Sequence, residues 1–490
     1  MIKIILIDPP GFGEGISTGL AYLAAVAKQN GFSDIAVVDF QNYRQNVEER
    51  INKIIAEQPD IIGFTINSFT VINAIKIIKQ LKGKVSAKFI AGGPGVTSDP
   101  KIFLERTGDL FDVAVFSEGE RTFVELLKYF SNNNSVNLSA IKGIAYQSGN
   151  GEITVNEGRE LINNLDEVPF PDYDVFDSVK FNKKILSDSY QILTSRGCPA
   201  RCVFCLNLVL NRGRWRGRST DNVIKELVMA KEKYGIKSFT VRDDNFTQHM
   251  DRAEEICERL IALNFNTPWK CKAAVRADRV RPSLLNKMKK SGCDNLTLGI
   301  ESGDPAIYPL VCKGESLETI ATGIKMIKEA GIHVEVTMVI GVIEDSYKSV
   351  LQSIKFLKKI GVKAHWYLAL PFRGTPLFDW VKKNGTFLVD CDFIDAYAHS
   401  KSKELVVPFE TKEFTADERR KAYYKANISS ENFNFIWIDG FVQSNRYKHL
   451  SRLGRAWVLL TKTLRYHPQY FFKAVKYLLK IYWRRRAKKI

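Results

Sequence analysis

The sequence predicts an α/β protein: an N-terminal doubly wound parallel sheet, then a partial (β/α)6 barrel, then a basic helical segment. Three observations point there. Short apolar runs alternate with helical stretches of ten or so residues over the first 130 residues. A proline-bearing stretch, EVPFPDYDVF at 167–176, breaks that series. A second series of six strand-like runs starts at 191. The chain has 490 residues and is 45% apolar, which suits two or three domains with a substantial core.

The elements follow in order. A strand is expected at 2–7, within MIKIILIDPP, which lacks the small-residue cleavage site of a signal peptide. A helix at 19–30 ends at Gly31. Strands at 35–39, 61–65, 87–91 and 113–116 alternate with helices at 48–57, 71–81 and 120–130. These make a domain of residues 1–140, and a hairpin with a linker fills 141–186. The second domain, 187–400, has strands expected at 191–195, 238–241, 269–275, 295–300, 334–340 and 364–370. Helices between them include 222–234, 253–263 and 317–329. Residues 401–490 are the helical C-terminal segment. In both architectures, functional groups gather where strands end and loops begin.

The eight cysteines stand at 198, 202, 205, 257, 271, 293, 312 and 391. Such placement does not resemble a secreted disulfide framework, and a reducing cytoplasmic compartment fits better. Cys198, Cys202 and Cys205 have the spacing C-x3-C-x2-C directly after a strand. Three thiolates on one loop can hold three irons of a cubane and leave the fourth iron open. A structural zinc site would want a fourth Cys or His nearby, but the next Cys is Cys257 and the nearest His is His249. An Fe–S electron-transfer or sensor protein stays open as a different class of reading. Cys257, Cys271 and Cys293 are expected in the core, whereas Cys312 and Cys391 lie nearest loop signals.

This loop, with Phe204 before its last cysteine, resembles the radical S-adenosylmethionine (SAM) superfamily over roughly residues 186–400. The resemblance implies a [4Fe–4S] cluster whose open iron chelates SAM. It also implies reductive cleavage to methionine and a 5′-deoxyadenosyl radical, with electrons from a partner such as flavodoxin or ferredoxin. By the same resemblance SAM is met by Phe204, by Asp243 and Asp244 after the second strand, by Arg276 after the third, and by Gly299, Glu301 and Ser302 at the fourth. Gly341 and the segment around Gly374 and Pro376 match the adenine side.

A doubly wound domain ahead of such a barrel resembles the cobalamin-binding branch. The matching residues are 19–23, 92–94 and 118–123. The resemblance implies that Thr65, Ser68, Gly92, Gly93, Glu118, Gly119 and Glu120 meet cobalamin. Gly-rich strand ends bind many ligands, and such a domain can also be a bare scaffold. All six histidines lie beyond it, so bound cobalamin would receive no lower axial imidazole from this domain. That favours methyl transfer to an unactivated carbon, with a radical cyclase or rearrangement as the alternative. The methylthiotransferase branch carries three cysteines in its preceding domain, and this one has none.

The net charge is +18, yet residues 440–490 contain fourteen Lys or Arg and no acid, so the remainder is near neutral at +4. Residues 469–483 are expected to form an amphipathic helix with Lys473, Lys476 and Lys480 on one face. Such a helix can lie on an anionic membrane, suiting a small-molecule substrate of lipid, isoprenoid or tetrapyrrole type. It can also pack on the barrel. No nucleic-acid module accompanies the patch. No apolar run of about 18 residues is present, so no spanning helix is expected.

Overall fold

Strands such as IILID at Ile4–Asp8 are buried along their whole length, as happens when helices cover both faces of a sheet. The computed structural model describes residues 2–11, 15–42, 46–131, 137–149, 151–182, 184–188, 190–392 and 405–430, with scattered positions between 457 and 479.

In the first domain, β1 (Ile4–Asp8), β2 (Ile35–Asp39), β3 (Ile61–Thr65), β4 (Lys88–Gly92) and β5 (Val113–Val115) pair in parallel in the order β2-β1-β3-β4-β5. Helices α1 (Thr18–Gln29), α2 (Val47–Glu57), α3 (Val71–Leu81), α4 (Pro94–Thr97), α5 (Pro100–Thr107) and α6 (Glu120–Phe130) connect them. Ile4 and Leu6 pack with Leu20 of α1 and Phe123 of α6. Ile5 and Ile7 pack on the other face with Ile54, Ile78 and Phe103. The sheet is thus doubly wound, and its order reverses beside β1, where such sheets bind ligands. The hairpin β6 (Ile144–Gln147) and β7 (Ile153–Val155) continues this sheet antiparallel to β5, so it belongs to the first domain. The structure also adds α4 and α5, which prolines at residues 94 and 100 disguise; both occupy first-turn positions where the missing N–H costs nothing.

After α7 (Asp177–Phe181) and α8 (Lys184–Asp188), the second domain has a six-stranded sheet. Its strands β8 (Tyr190–Ile192), β11 (Phe239–Val241), β12 (Trp269–Val275), β13 (Cys293–Glu301), β14 (His333–Ile340) and β15 (Ala364–Leu368) are all parallel. The ends β8 and β15 do not pair, which leaves a partial barrel. The strand expected at 191–195 is shorter than its pattern suggests. It stops at Ile192, because Asp243 captures Thr194, and β9 (Ser195–Arg196) turns away to pair antiparallel with β10 (Arg216–Gly217). Between the strands lie α9 (Asn207–Leu210), α10 (Thr220–Tyr234), α11 (Met250–Ala262), α12 (Pro282–Lys290), α13 (Leu317–Glu329) and α14 (Tyr347–Lys359).

Residues 405–430 do not behave as a basic appendage. After α15 (Pro376–Asn384), β16 (Gly385–Phe387) pairs with β17 (Phe409–Thr411), and α16 (Ala416–Ser429) packs against α14 and β15. Tyr423 and Tyr424 are buried. So is Arg419, its guanidinium 4.1 and 4.6 Å from the rings of Phe409 and Phe414. Burial pushes that guanidinium down to about 10. The helix expected at 469–483 lies largely outside the described residues, as do Lys473 and Lys480. Among the described tail positions, Trp457, Phe472 and Leu479 are exposed. No helix among the described residues is long and apolar enough to cross a membrane.

Candidate functional site

The cysteine loop is shaped by strand ends that surround it. Gly197 has φ +89°, and a Cβ there would stand 1.9 Å from the Arg214 carbonyl, so only glycine fits. Its amide donates to Asp244 Oδ2 at 2.9 Å. The Cys198 amide donates to Asn207 Oδ1 at 3.1 Å, and the Asn207 amide returns to Cys205 Sγ at 3.4 Å. Val203 ties the loop to two later segments: its amide donates to the carbonyl of Val311, in the turn beyond β13, and its carbonyl accepts from the amide of Leu377, in the first turn of the helix Pro376–Asn384. Asn245 Nδ2 approaches Cys198 Sγ at 3.7 Å, while its buried Oδ1 has no hydrogen-bond partner among the described residues.

Burial pushes the Cys202 thiol up to about 12 and the Cys205 thiol to about 11, with Lys313 opposing the shift at Cys202. These sulfurs stay protonated at neutral pH until a cationic iron centre takes them and releases the protons. Among the described residues no three Cys, His or acidic groups converge on one metal position. A mononuclear zinc site needs that convergence; a cubane does not, since each thiolate takes a different iron. Of the other cysteines, Cys257, Cys271, Cys293 and Cys391 are buried and Cys312 is exposed.

Beside the loop opens a cavity of 790 Å³ lined by Arg276, Tyr308, Cys312, Lys313 and Glu315. The Tyr308 hydroxyl is buried without a hydrogen-bond partner among the described residues. An unanswered hydroxyl beside a guanidinium suits a ligand that is polar and carries a carboxylate, as the methionyl end of SAM does. Arg276 donates to Asp278 Oδ1 at 2.9 Å and to the Lys313 carbonyl at 2.7 Å, which aims its head at this cavity.

The remaining residues expected to meet SAM are distributed differently. Asp243 is buried: its carboxylate accepts from the Thr194 amide, the Thr194 hydroxyl and the Ser195 hydroxyl, each at 2.6 Å, and so fixes the end of β8. Ser302 is also buried, its hydroxyl 3.4 Å from Ser353 Oγ, which accepts from the Gly303 amide at 2.8 Å, so it shapes the turn after β13. Phe204 packs among apolar side chains such as Val339 and Leu377. Glu301, at φ +72°, lies 3.5 Å from Lys313, which also pairs with Glu315 at 3.5 Å and donates to the Gly299 carbonyl. Two acids share one ammonium, and burial pushes the Glu301 carboxyl up. Gly341 donates to Asp345 Oδ2 and lies under Arg419, while Pro376 opens α15.

At the carboxyl ends of the first sheet lies a second cavity, of 280 Å³, among Leu6, Leu20, Leu23, Phe64 and Phe123. That volume is at the small end of ligand pockets and takes part of a large ligand. Thr65, Gly92, Gly93, Glu118, Gly119 and Glu120 line it, and Ser68 does not. Gly93 has φ +108°, and a Cβ there would meet the Ile66 carbonyl at 2.7 Å. The walls are apolar toward the sheet and charged at Glu118 and Glu120, and they contain no imidazole, which fits a corrinoid held without a histidine ligand.

One side chain joins the two sites. Arg196, two residues before Cys198, lines the second cavity and pairs with Glu118 at 2.8 Å and Glu120 at 2.6 Å. Arg216 also pairs with Glu118, at 2.9 Å, and donates to the Ile162 carbonyl. Burial works to raise the Glu118 carboxyl, but Arg196 and Arg216 outweigh it and hold it below the usual carboxylate range. Both acids, expected to meet cobalamin, line that cavity and also form a clamp between domains. Sequence reasoning missed Arg196, Arg216, Tyr308 and Lys313, since isolated residues of these types have no telling spacing.

Comparison with known proteins accords with this layout. Residues 192–357 match the Radical SAM superfamily, and residues 11–127 match the B12 binding domain. An uncharacterised methyltransferase of Pyrococcus horikoshii is 31% identical over 440 residues, covering 88% of this chain and 92% of that protein. An anaerobic magnesium-protoporphyrin IX monomethyl ester cyclase of Rubrivivax gelatinosus is 24% identical, covering 73% of this chain and 65% of that one. The fold resembles the radical SAM methyltransferase TsrM of Kitasatospora setae, solved with cobalamin and a [4Fe–4S] cluster, with TM-score 0.70, 13% identity and full coverage of both chains.

Proposed function

Since the chain belongs to the radical SAM superfamily, in the branch with a B12 binding domain, we propose that it is a cobalamin-dependent methyltransferase acting on an unactivated carbon of a small molecule. The observation that supports this most is the Arg196 clamp. It ties the loop of Cys198, Cys202 and Cys205 to the apolar cavity of the first domain, so radical generation and methyl donation share one seam. When bound, the cluster and SAM supply a hydrogen-abstracting radical, and cobalamin supplies a methyl carrier.

The chain's own residues hold and shield these groups. Cys198, Cys202 and Cys205 would hold three irons. Arg276 would take the SAM carboxylate, with the Tyr308 hydroxyl as a further donor. Thr65, Gly92, Gly93 and Gly119 would line the cobalamin cavity. The cavity wall has no histidine among the described residues, so it would offer a bound cobalamin no imidazole nitrogen. A radical cyclase is the second reading, supported by the likeness to the Rubrivivax gelatinosus cyclase.

The test is anaerobic: load the cluster, add SAM, cobalamin and a low-potential reductant, and assay both nucleosides. S-adenosylhomocysteine beside 5′-deoxyadenosine supports methylation. 5′-Deoxyadenosine alone, with substrate consumed, supports the cyclase. A reducing partner such as flavodoxin or ferredoxin is part of the same reading. Contact of the tail with an anionic membrane, hence a lipid, isoprenoid or tetrapyrrole substrate, is supported by the exposed Trp457, Phe472 and Leu479. Failure of the intact chain to float with anionic liposomes would refute that part.

A further inference from the structure

The inner face of the barrel holds charges that the described residues leave unanswered. Phe239, Val241, Trp269 and Cys271 belong to the core under the helices. Side chains alternate along a strand, so Thr240, Arg242, Lys270 and Lys272 take the opposite, inner face. The β11–β12 register sets Thr240 beside Lys270 and Val241 beside Cys271, which makes Arg242 and Lys272 the next cross-strand neighbours. The ladder extends that far on the other side too, since the Arg242 amide donates to the Ile192 carbonyl at 2.9 Å. Lys272 acts electrostatically on His365 of β15, which places its ammonium across the interior.

Neither cation meets a carboxylate among the described residues. The nearby acid on this face, Glu335, already accepts from Asn295 Nδ2 at 3.1 Å and Thr297 Oγ1 at 3.4 Å. Both Arg242 and Lys272 are open to solvent. Yet burial pushes the Arg242 guanidinium down, with no opposing anion. Both side chains are thus solvent-accessible on the face of the sheet that turns away from the helices. Like charges side by side on neighbouring strands destabilise a sheet, and the arrangement becomes favourable once an anion sits between them.

We propose that Arg242 and Lys272 bind an oxyanion of the substrate, a phosphate or a carboxylate, inside the barrel, so that the small molecule modified here is anionic. This rests on the radical SAM reading for the identity of the guest as substrate. Arginine offers two parallel N–H donors and lysine a mobile ammonium, a pairing suited to either oxyanion.

The test is thermal melting of the cluster-loaded full chain with inorganic phosphate or acetate, each against sodium chloride of equal ionic strength. Binding raises the midpoint by about 3 °C at roughly ten times the dissociation constant. The larger of the two shifts identifies a phosphate or a carboxylate guest. In the double variant Arg242→Gln/Lys272→Met the shift vanishes. Without anions that variant melts at the wild-type temperature or above it, because repulsion is relieved. No shift in wild type with either anion, a shift that survives in the variant, or a variant that melts much lower each overturns the proposal. The 5′-deoxyadenosine assay on the wild type is separate: its failure sinks the functional reading and leaves the anion result standing.

Discussion

Two groups of cations in this molecule are treated in opposite ways. At the seam between domains Arg196 and Arg216 share Glu118 and Arg196 adds Glu120, while within the barrel Arg218 pairs with Glu226. On the inner face of the barrel Arg242 and Lys272 meet no carboxylate among the described residues. Folding desolvates the first group and compensates it at once, so those charges hold structure. The second group is left for something that arrives later. Residue type alone does not separate the two; partnership does.

The comparison breaks most completely at the cysteine loop that both regions serve. Cys202→Ala should lose cluster iron and reduce 5′-deoxyadenosine to background, read by iron analysis and nucleoside assay. Substantial SAM cleavage in that variant would remove the reason for joining the two regions.

Next in size is Glu118→Gln, which uncouples Arg196 and Arg216. Breaking a buried pair costs about 3–5 kcal/mol, read by urea unfolding. The sign with pH is fixed. The folded carboxyl lies below its ordinary 4.5, so its stabilisation is complete above that value and drains away as pH falls through the lower folded one. The Gln variant should show a shallower acid slope. An unchanged slope would mean the clamp holds nothing.

Asp243→Ala strands the Thr194 amide and should cost about 1–3 kcal/mol, with SAM affinity reduced only through loop disorder. A larger effect on SAM binding than on stability would restore this carboxylate to the ligand. The smallest effect sharpens the contrast. Tyr308→Phe should leave stability unchanged, since the hydroxyl has no partner among the described residues. It should raise KM for SAM about tenfold, the equivalent of one ligand hydrogen bond.

Much of the architecture was legible because its signals are local. Two-sided burial writes itself into runs such as IILID, and the C-x3-C-x2-C spacing is a short-range pattern. Legibility ended where meaning depends on a distant partner. The segment 191–195 reads as one strand, but Asp243, 49 residues beyond Thr194, decides where it stops. Arg196 is an ordinary arginine until Glu118, 78 residues earlier, comes alongside. Glu118 and Glu120 read as ligand contacts because they sit at a strand end, and only the fold shows them occupied. Residues 405–430 looked like the start of a charged tail, whereas burial of Arg419 between two phenylalanines makes them part of the barrel wall.

The supports of the cysteine loop also impose an order in time. Asp244, Val311 and Leu377 all lie downstream of the sulfurs they position. During synthesis the three thiols therefore have no fixed arrangement until the sixth barrel strand has emerged and docked. Iron meets a finished cup instead of nucleating one, the reverse of small domains that fold around their ion. The protein must be stable while it waits, and that interval is when three neighbouring thiols are most vulnerable to oxygen.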